Sequence, residues 1–194
     1  MKRIPFGPWV PDLPPVINQQ GLTAATNVVP INGGYGPLAS LSNVANATAL
    51  TNYCRGALGG INYGGNPYNV AGDQYALYST DYGGAVDKSR AAAYNCGTTG
   101  RWEFAVFADT IFATNFVDPV QYIETAHLAL ASKKFADVDD LAIAPAVPRA
   151  RHLAVIDNFL VMGNIHDPVI GNQPGAISWC AINAPLSWPV RGTD

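Results

Sequence analysis

From Tyr53 onward the apolar residues come in short runs separated by Gly, Asn and Asp, and two of these runs share a rhythm. Phe104 to Asn115 reads FAVFADTIFATN, and Leu153 to Asn164, 49 positions later, reads LAVIDNFLVMGN. Laid end to end they share three identities, Ala105/Ala154, Val106/Val155 and Asn115/Asn164, and the apolar class matches at most other positions. Each half is a strand-length run of β-branched, aromatic or aliphatic residues. The polar pair between the halves, Asp109-Thr110 or Asp157-Asn158, has the length of a tight hairpin turn. The pattern predicts two β-hairpins. Because the runs are continuously apolar rather than alternating, their strands are expected to be covered on both faces.

A weaker copy lies upstream, where NVAGDQYALYST (Asn69 to Thr80) again sets an acid, Asp73, before an apolar run. Asp73, Asp109 and Asp157 are therefore the predicted turn residues of the repeat, spaced 36 and then 48 apart. A recurrence of this length, with each unit a small antiparallel sheet, fits propeller blades, which must stack because one blade cannot bury both its faces alone. Unrelated hairpins in a β-sandwich are the competing arrangement. Val120 to Thr125 and Gly175 to Asn183 supply further strands, while Pro119, Pro145 and Pro148 confine any helix to a turn or two in the connections. The first 50 residues have another texture, proline-rich and without a sustained period. They read as an extended arm with a strand within Leu22 to Pro30 and a turn at Asn32 to Gly36, anchored by Trp9, Tyr35 and Leu38. The expected organisation is thus an arm over 1–50 and, over 51–194, an all-β module of about three hairpin repeats: propeller-like blades in an incomplete ring.

Composition sharpens this picture. Gly and Pro together fill 34 of 194 positions and only 13% of residues are charged, a balance that favours turns over long helices. A net charge of −3 with 11 basic residues leaves no electrostatic footprint for tight nucleic-acid binding. The prolines that follow Lys2 and Arg3 leave no apolar stretch for a cleaved signal, and no apolar run approaches the roughly 20 residues of a membrane span. Cys54, Cys96 and Cys180 are odd in number and far apart, so they predict free thiols rather than a disulfide framework or a zinc site.

Catalytic signatures are missing from the pattern. Glu103 and Glu124 are the only glutamates, and most aspartates sit at predicted turns, so no carboxylate pair stands out for acid-base hydrolysis. His127, His152 and His166 lack the helical spacing that aims two imidazoles at one metal, and the acidic turn at Asp137, Asp139 and Asp140 lacks the Gly and terminal Glu of a calcium loop. No cofactor or metal is expected, and the chain is read as a non-enzyme. Ser79 to Val86 partly resembles the Ser-x-Asp-x-Gly-x-Thr-Trp turn of sialidase-like propellers, with Ala85 and Val86 in place of its last two residues; that turn is structural, not catalytic. Seven tyrosines between Tyr53 and Tyr94 are read mainly as packing within a Gly-rich β module, with a glycan platform as the alternative, and Trp102, Trp179 and Trp188 as blade cores.

The order RWEFAVFADTIFATNFVDPVQYI, then APAVPRARHLAVIDNFLVMGN, then ISWCAINAPLSW resembles the repeated segments of tail nozzle or hub proteins of short-tailed bacteriophages. The opening PFGPWVPDLP with VVPINGGYGPL also looks like the start of those proteins, and Cys180 stands where they commonly carry a Ser. The resemblance implies a structural virion protein of the phage tail, assembled in the host bacterial cytoplasm. It implies a homo-oligomeric, commonly hexameric ring below the portal and adaptor, which retains packaged DNA and then conducts it without specific binding. A capsid decoration protein and a glycan-binding virion module are the alternatives of other classes.

Overall fold

In the computed structural model the described residues are 26–31, 34–38, 48–81, 83–138, 149–167 and 170–188. The chain divides into two compact units, Met1–Asn43 and Val44–Asp194. In the first, β1 (Val28–Ile31) and β2 (Gly34–Pro37) pair as an antiparallel hairpin, closed by Leu38 N–H donating to the Asn27 carbonyl at 2.8 Å.

The second unit is all β, with no α-helix among its described residues, and it is built from three successive antiparallel meanders. The first sheet runs β3 (Gly56–Ile61), β4 (Pro67–Gly72), β5 (Leu77–Asp81), β6 (Gly84–Asp87). The second runs β7 (Glu103–Phe107), β8 (Thr110–Thr114), β9 (Gln121–Glu124), β10 (Ala136–Asp137), with a 3-10 turn at Thr125–His127 before β10. The third runs β11 (Arg149–Ile156), β12 (Phe159–Asp167), β13 (Gly171–Trp179). Their first strands begin at residues 56, 103 and 149, a regular advance of 47 and then 46. These strands also neighbour one another, β3 against β7 and β7 against β11. No sheet closes into a barrel, and the arrangement is compatible with blades of an incomplete propeller.

The second sheet shows why the apolar runs do not alternate. Along β8, Ile111, Phe112, Ala113 and Thr114 are all buried. Side chains at successive positions of a strand point to opposite faces. Ile111 and Ala113 join Val70, Leu77, Trp102 and Ile123 in a core against the first sheet. Phe112 joins Ala105, Leu153, Leu160 and Met162 in a separate core against the third sheet, and there the Thr114 hydroxyl donates to the Ala150 carbonyl. The expectation of strands covered on both faces holds for β8.

The three predicted repeats are not superposable. The β7–β8 turn is Ala108-Asp109, one residue earlier than predicted, because Thr110 already pairs with Phe107. Ala108 takes φ 51°, the left-handed conformation that a tight hairpin imposes on its first turn residue. In the β11–β12 turn that place belongs to Asp157, with φ 50°. Asp109 and Asp157 are therefore one step out of register. Asp73 lies in the connection between β4 and β5, the second and third strands of its sheet, so the upstream copy falls on a different hairpin. Trp102 and Trp188 are buried as expected, but Trp179 is 57% exposed on the outer face of the third sheet, where no further sheet follows among the described residues.

Phe112→Ala is expected to lower unfolding free energy by about 3–5 kcal/mol, read as a shift in the urea midpoint. A loss below about 1 kcal/mol would mean that the second and third sheets do not share this core.

Candidate functional site

The acidic residues singled out by the sequence serve the backbone. Asp73 is fully buried. Its Oδ1 accepts from the Tyr75 and Ala76 N–H groups at 2.7 and 2.8 Å, capping the four-residue turn. Its Oδ2 accepts from Asn52 N–H at 3.1 Å and from the Tyr78 hydroxyl at 3.0 Å, and that hydroxyl also lies 3.1 Å from Thr51 Oγ1. Its carbonyl accepts the Trp102 indole N–H at 2.7 Å. One residue thus ties the segment before β3 and the β4–β5 turn through its carboxylate, and the entry to β7 through its carbonyl. Asp109 is half-buried and accepts from Tyr63 N–H at 3.0 Å, joining the β7–β8 turn to the β3–β4 turn. Asp157 is exposed in its turn. These three do not converge on one site.

Trp102 could be singled out from the sequence only as a core residue, yet it sets how closely the first two sheets approach. A Cβ on Gly72 would lie 2.3 Å from the Trp102 ring, and one on Gly56 would lie 2.4 Å from the Trp102 carbonyl oxygen. Its ring meets Tyr94 edge-on at 5.0 Å and stacks near Phe104 at 6.5 Å. These rings belong to the core. Tyr53 and Tyr63 are 91% and 82% exposed, and neither makes a ring contact with another aromatic among the described residues.

A polar network that the sequence did not signal fastens the loop after β6 to the second sheet. Arg90 forks between Asp118 at 2.8 Å and Asp137 at 2.6 Å and sits 5.0 Å from the Tyr94 ring centre. The Tyr94 hydroxyl accepts from Arg90 N–H at 3.2 Å and donates to Gln121 Oε1 at 3.0 Å, while the Gln121 amide donates to Pro119 O and Asp137 Oδ1. Burial pushes the Tyr94 hydroxyl pKa well above its ordinary value, because its anion would lose water without gaining a donor that compensates. The same loop buries Lys88, whose Nζ donates to the Leu130 carbonyl at 2.7 Å and whose pKa is lowered by burial and by Lys134.

Among the described residues two clefts could admit a ligand. The larger, about 580 Å3, is lined by Arg101, Glu103, Phe116, Arg151 and His152 among others. Its single carboxylate is engaged: Glu103 accepts from Leu153 N–H at 3.1 Å and meets His152 Nδ1 at 3.0 Å. The Arg151 guanidinium lies over the Phe116 ring at 4.5 Å. With no second carboxylate in its lining, the cleft has no acid-base pair for glycoside hydrolysis. The smaller cleft, about 250 Å3, is lined by Asn62, Asn66, Tyr68, Ser79 and other uncharged residues. His127 stands 3.6 Å from Glu124, and His166 lies on β12; neither reaches the larger cleft.

Trp9, Asp139 and Asp140 lie outside the described residues. Tyr35 pairs through its backbone with Pro30, and Leu38 is 56% exposed at the end of the hairpin. Cys54, Cys96 and Cys180 are free thiols. Cys180 is buried, and its sulfur accepts from Leu160 N–H at 3.1 Å, a role a Ser hydroxyl would also fill. Among the described residues no helix is long and apolar enough to cross a membrane. No protein-family model matches the chain. No curated protein matches it at a significant level.

Asp73→Ala removes the acceptor of three part-buried backbone N–H groups and of the buried Tyr78 hydroxyl and is expected to cost about 3 kcal/mol, whereas Asp109→Ala removes one exposed bond and should cost under about 1 kcal/mol. Equal losses in chemical denaturation would refute this ranking. Tyr94 holds its proton in the folded chain at a pH where the unfolded chain has begun to lose it, so its contribution is complete below pH 10, its ordinary pKa, and declines as pH rises beyond. Tyr94→Phe should therefore cost about 1–2 kcal/mol at neutral pH and show a shallower loss of stability than the parent above pH ~10.5. Parallel alkaline declines in the two proteins would contradict the assignment.

Proposed function

We propose that the chain is a structural component of a bacteriophage tail, a nozzle or hub protein that assembles as a ring below the portal and adaptor. It lets the genome leave through a conduit and helps hold it beforehand. The observation that carries this reading is that the chain's distinctive side chains are used up in holding sheet to sheet. Asp73, Glu103 and Arg90 spend their bonding capacity on backbone groups and neighbouring sheets, and neither cleft offers a catalytic pair. The order of motifs that resembles nozzle proteins runs along the same β7–β13 region that forms the second and third sheets.

Charge supports the conduit. With 11 basic residues against 14 acidic ones, the chain has little with which to displace counterions from DNA, and a wall that gripped phosphates would slow exit. DNA is accordingly read as cargo that passes, not as a ligand. The test is copy number in purified particles by quantitative mass spectrometry, with particles lacking the protein scored for loss of packaged DNA. About six to twelve copies per particle, the number that one or two hexameric rings would supply, together with genome leakage in its absence, is the expected result. Hundreds of copies would replace the nozzle with capsid decoration, and absence from particles would sink the virion assignment.

A further inference from the structure

The larger cleft is a positively charged hollow in a chain whose net charge is −3. Three segments wall it: the loop at 96–101 with the start of β7, the turn at 115–117 after β8, and Arg151 with His152 on β11. Arg101 and Arg151 both line it, and the acids beside them are already engaged. Glu103, the only carboxylate in the lining, accepts from the Leu153 N–H through Oε1 and faces His152 through Oε2. Asp118, just past the turn, meets Arg90 through one oxygen and accepts from the Asn95 N–H and the Asn115 amide through the other. In the loop, the carbonyls of Thr98 and Gly100 accept from the Arg55 guanidinium at 2.6 and 3.2 Å. Among the described residues neither Arg101 nor Arg151 has a carboxylate within ion-pair distance.

Arg151 is also held in place. Its guanidinium lies over the Phe116 ring at 4.5 Å, a contact that takes up no oxygen acceptor, so its fork of N–H donors stays available. Phe116 takes φ 70°, a strained conformation for a bulky residue. The Asn115 side chain fixes the turn around it by accepting from the Val117 and Asp118 N–H groups at 3.0 and 2.8 Å. The support under the cation is therefore rigid, and Phe116 and Val117 make that wall apolar.

We propose that this cleft binds a small organic oxyanion, a carboxylate or phosphate monoester carried on an apolar ring, with Arg101 and Arg151 receiving the charge and Phe116 and Val117 the ring. The volume of about 580 Å3 lies within the roughly 300–1,000 Å3 of small-molecule sites. A concave site lined by one sign of charge concentrates ligands of the other sign, and an arginine fork matches the geometry of either oxyanion. The inference rests on the cleft alone and stands apart from the tail assignment.

The test is titration of the isotope-labelled full chain, followed by NMR, with phenyl phosphate, benzoate, inorganic phosphate and the uncharged benzyl alcohol. Phenyl phosphate, benzoate or both are expected to saturate with a dissociation constant of about 1 mM or tighter, shifting the Gly97, Gly100 and Phe116 amides. Which of the two binds identifies the oxyanion. Inorganic phosphate, which lacks the ring, and benzyl alcohol, which lacks the charge, are each expected to bind at least about tenfold more weakly. Arg101→Gln and Arg151→Gln are each expected to weaken binding of the ring anion at least about tenfold, while Arg149→Gln, on the same strand but outside the lining, changes it less than about twofold. No saturable binding of either ring anion, equal affinity for inorganic phosphate or benzyl alcohol, or an equal loss in Arg149→Gln overturns the proposal. If Arg151→Gln fails to fold, Arg151→Lys, which keeps the charge and loses the fork, replaces it and is likewise expected to weaken binding; unchanged affinity there overturns the proposal as well.

Discussion

Strand β8 has no face left for water, and the order of the Val44–Asp194 unit follows from that. Ile111 and Ala113 belong to one core and Phe112 to another, so a single five-residue strand supplies the middle of two sheet-on-sheet contacts. A sheet with one wet face can be patterned by alternation and survive alone. A sheet dry on both faces exists only while both neighbours are present. The stability of the first and third sheets is therefore bound to the second, and the buried polar groups that link them gain strength from the loss of solvent.

Polar bonds at the ends of the strands set how the sheets meet. Between the first and second sheets the fit is backbone-close: Gly56 and Gly72 leave room for Trp102, whose indole N–H is taken by the Asp73 carbonyl. Between the second and third the joint is Glu103, which receives the Leu153 N–H, and the Thr114 hydroxyl, which donates to Ala150. Apolar burial supplies most of the driving force. These directional contacts decide the rotation of one sheet on the next, which nondirectional burial cannot do.

How much of this was legible in the sequence depended on the range of the interaction. Hairpins are local, so the β7–β8 and β11–β12 pairs were readable from runs of apolar residues around a turn, and the dry faces of β8 from the lack of alternation. The β7–β8 turn lies one residue earlier than its sequence suggests, because Asp favours turns whereas Ala108, which takes φ 51°, is a residue type that rarely adopts positive φ. Asp73 lies between the second and third strands of its sheet rather than the first and second, because spacing carries no information on strand order within a meander. The Arg90 network was invisible: it joins residues 28 and 47 positions apart, and only packing brings them together. Trp179 was expected inside because tryptophan usually is, and only the succession of sheets reveals which face lacks a cover.

The spacing of the sheets has a temporal meaning as well. From Phe112 to Leu160, its neighbour in the core shared with the third sheet, is 48 residues, so the strand that carries Phe112 is synthesised well before the strands that cover it. At about 5–20 residues per second of synthesis, the second sheet waits roughly 3–10 s with one dry face open to solvent. During that interval Phe112 and Tyr122 are as adhesive as any docking surface, and the nearest partners are other nascent chains on the same message. The sheet-by-sheet order that makes the fold simple to trace also gives it a period of vulnerability during synthesis, one that ends only when the third sheet closes over the second.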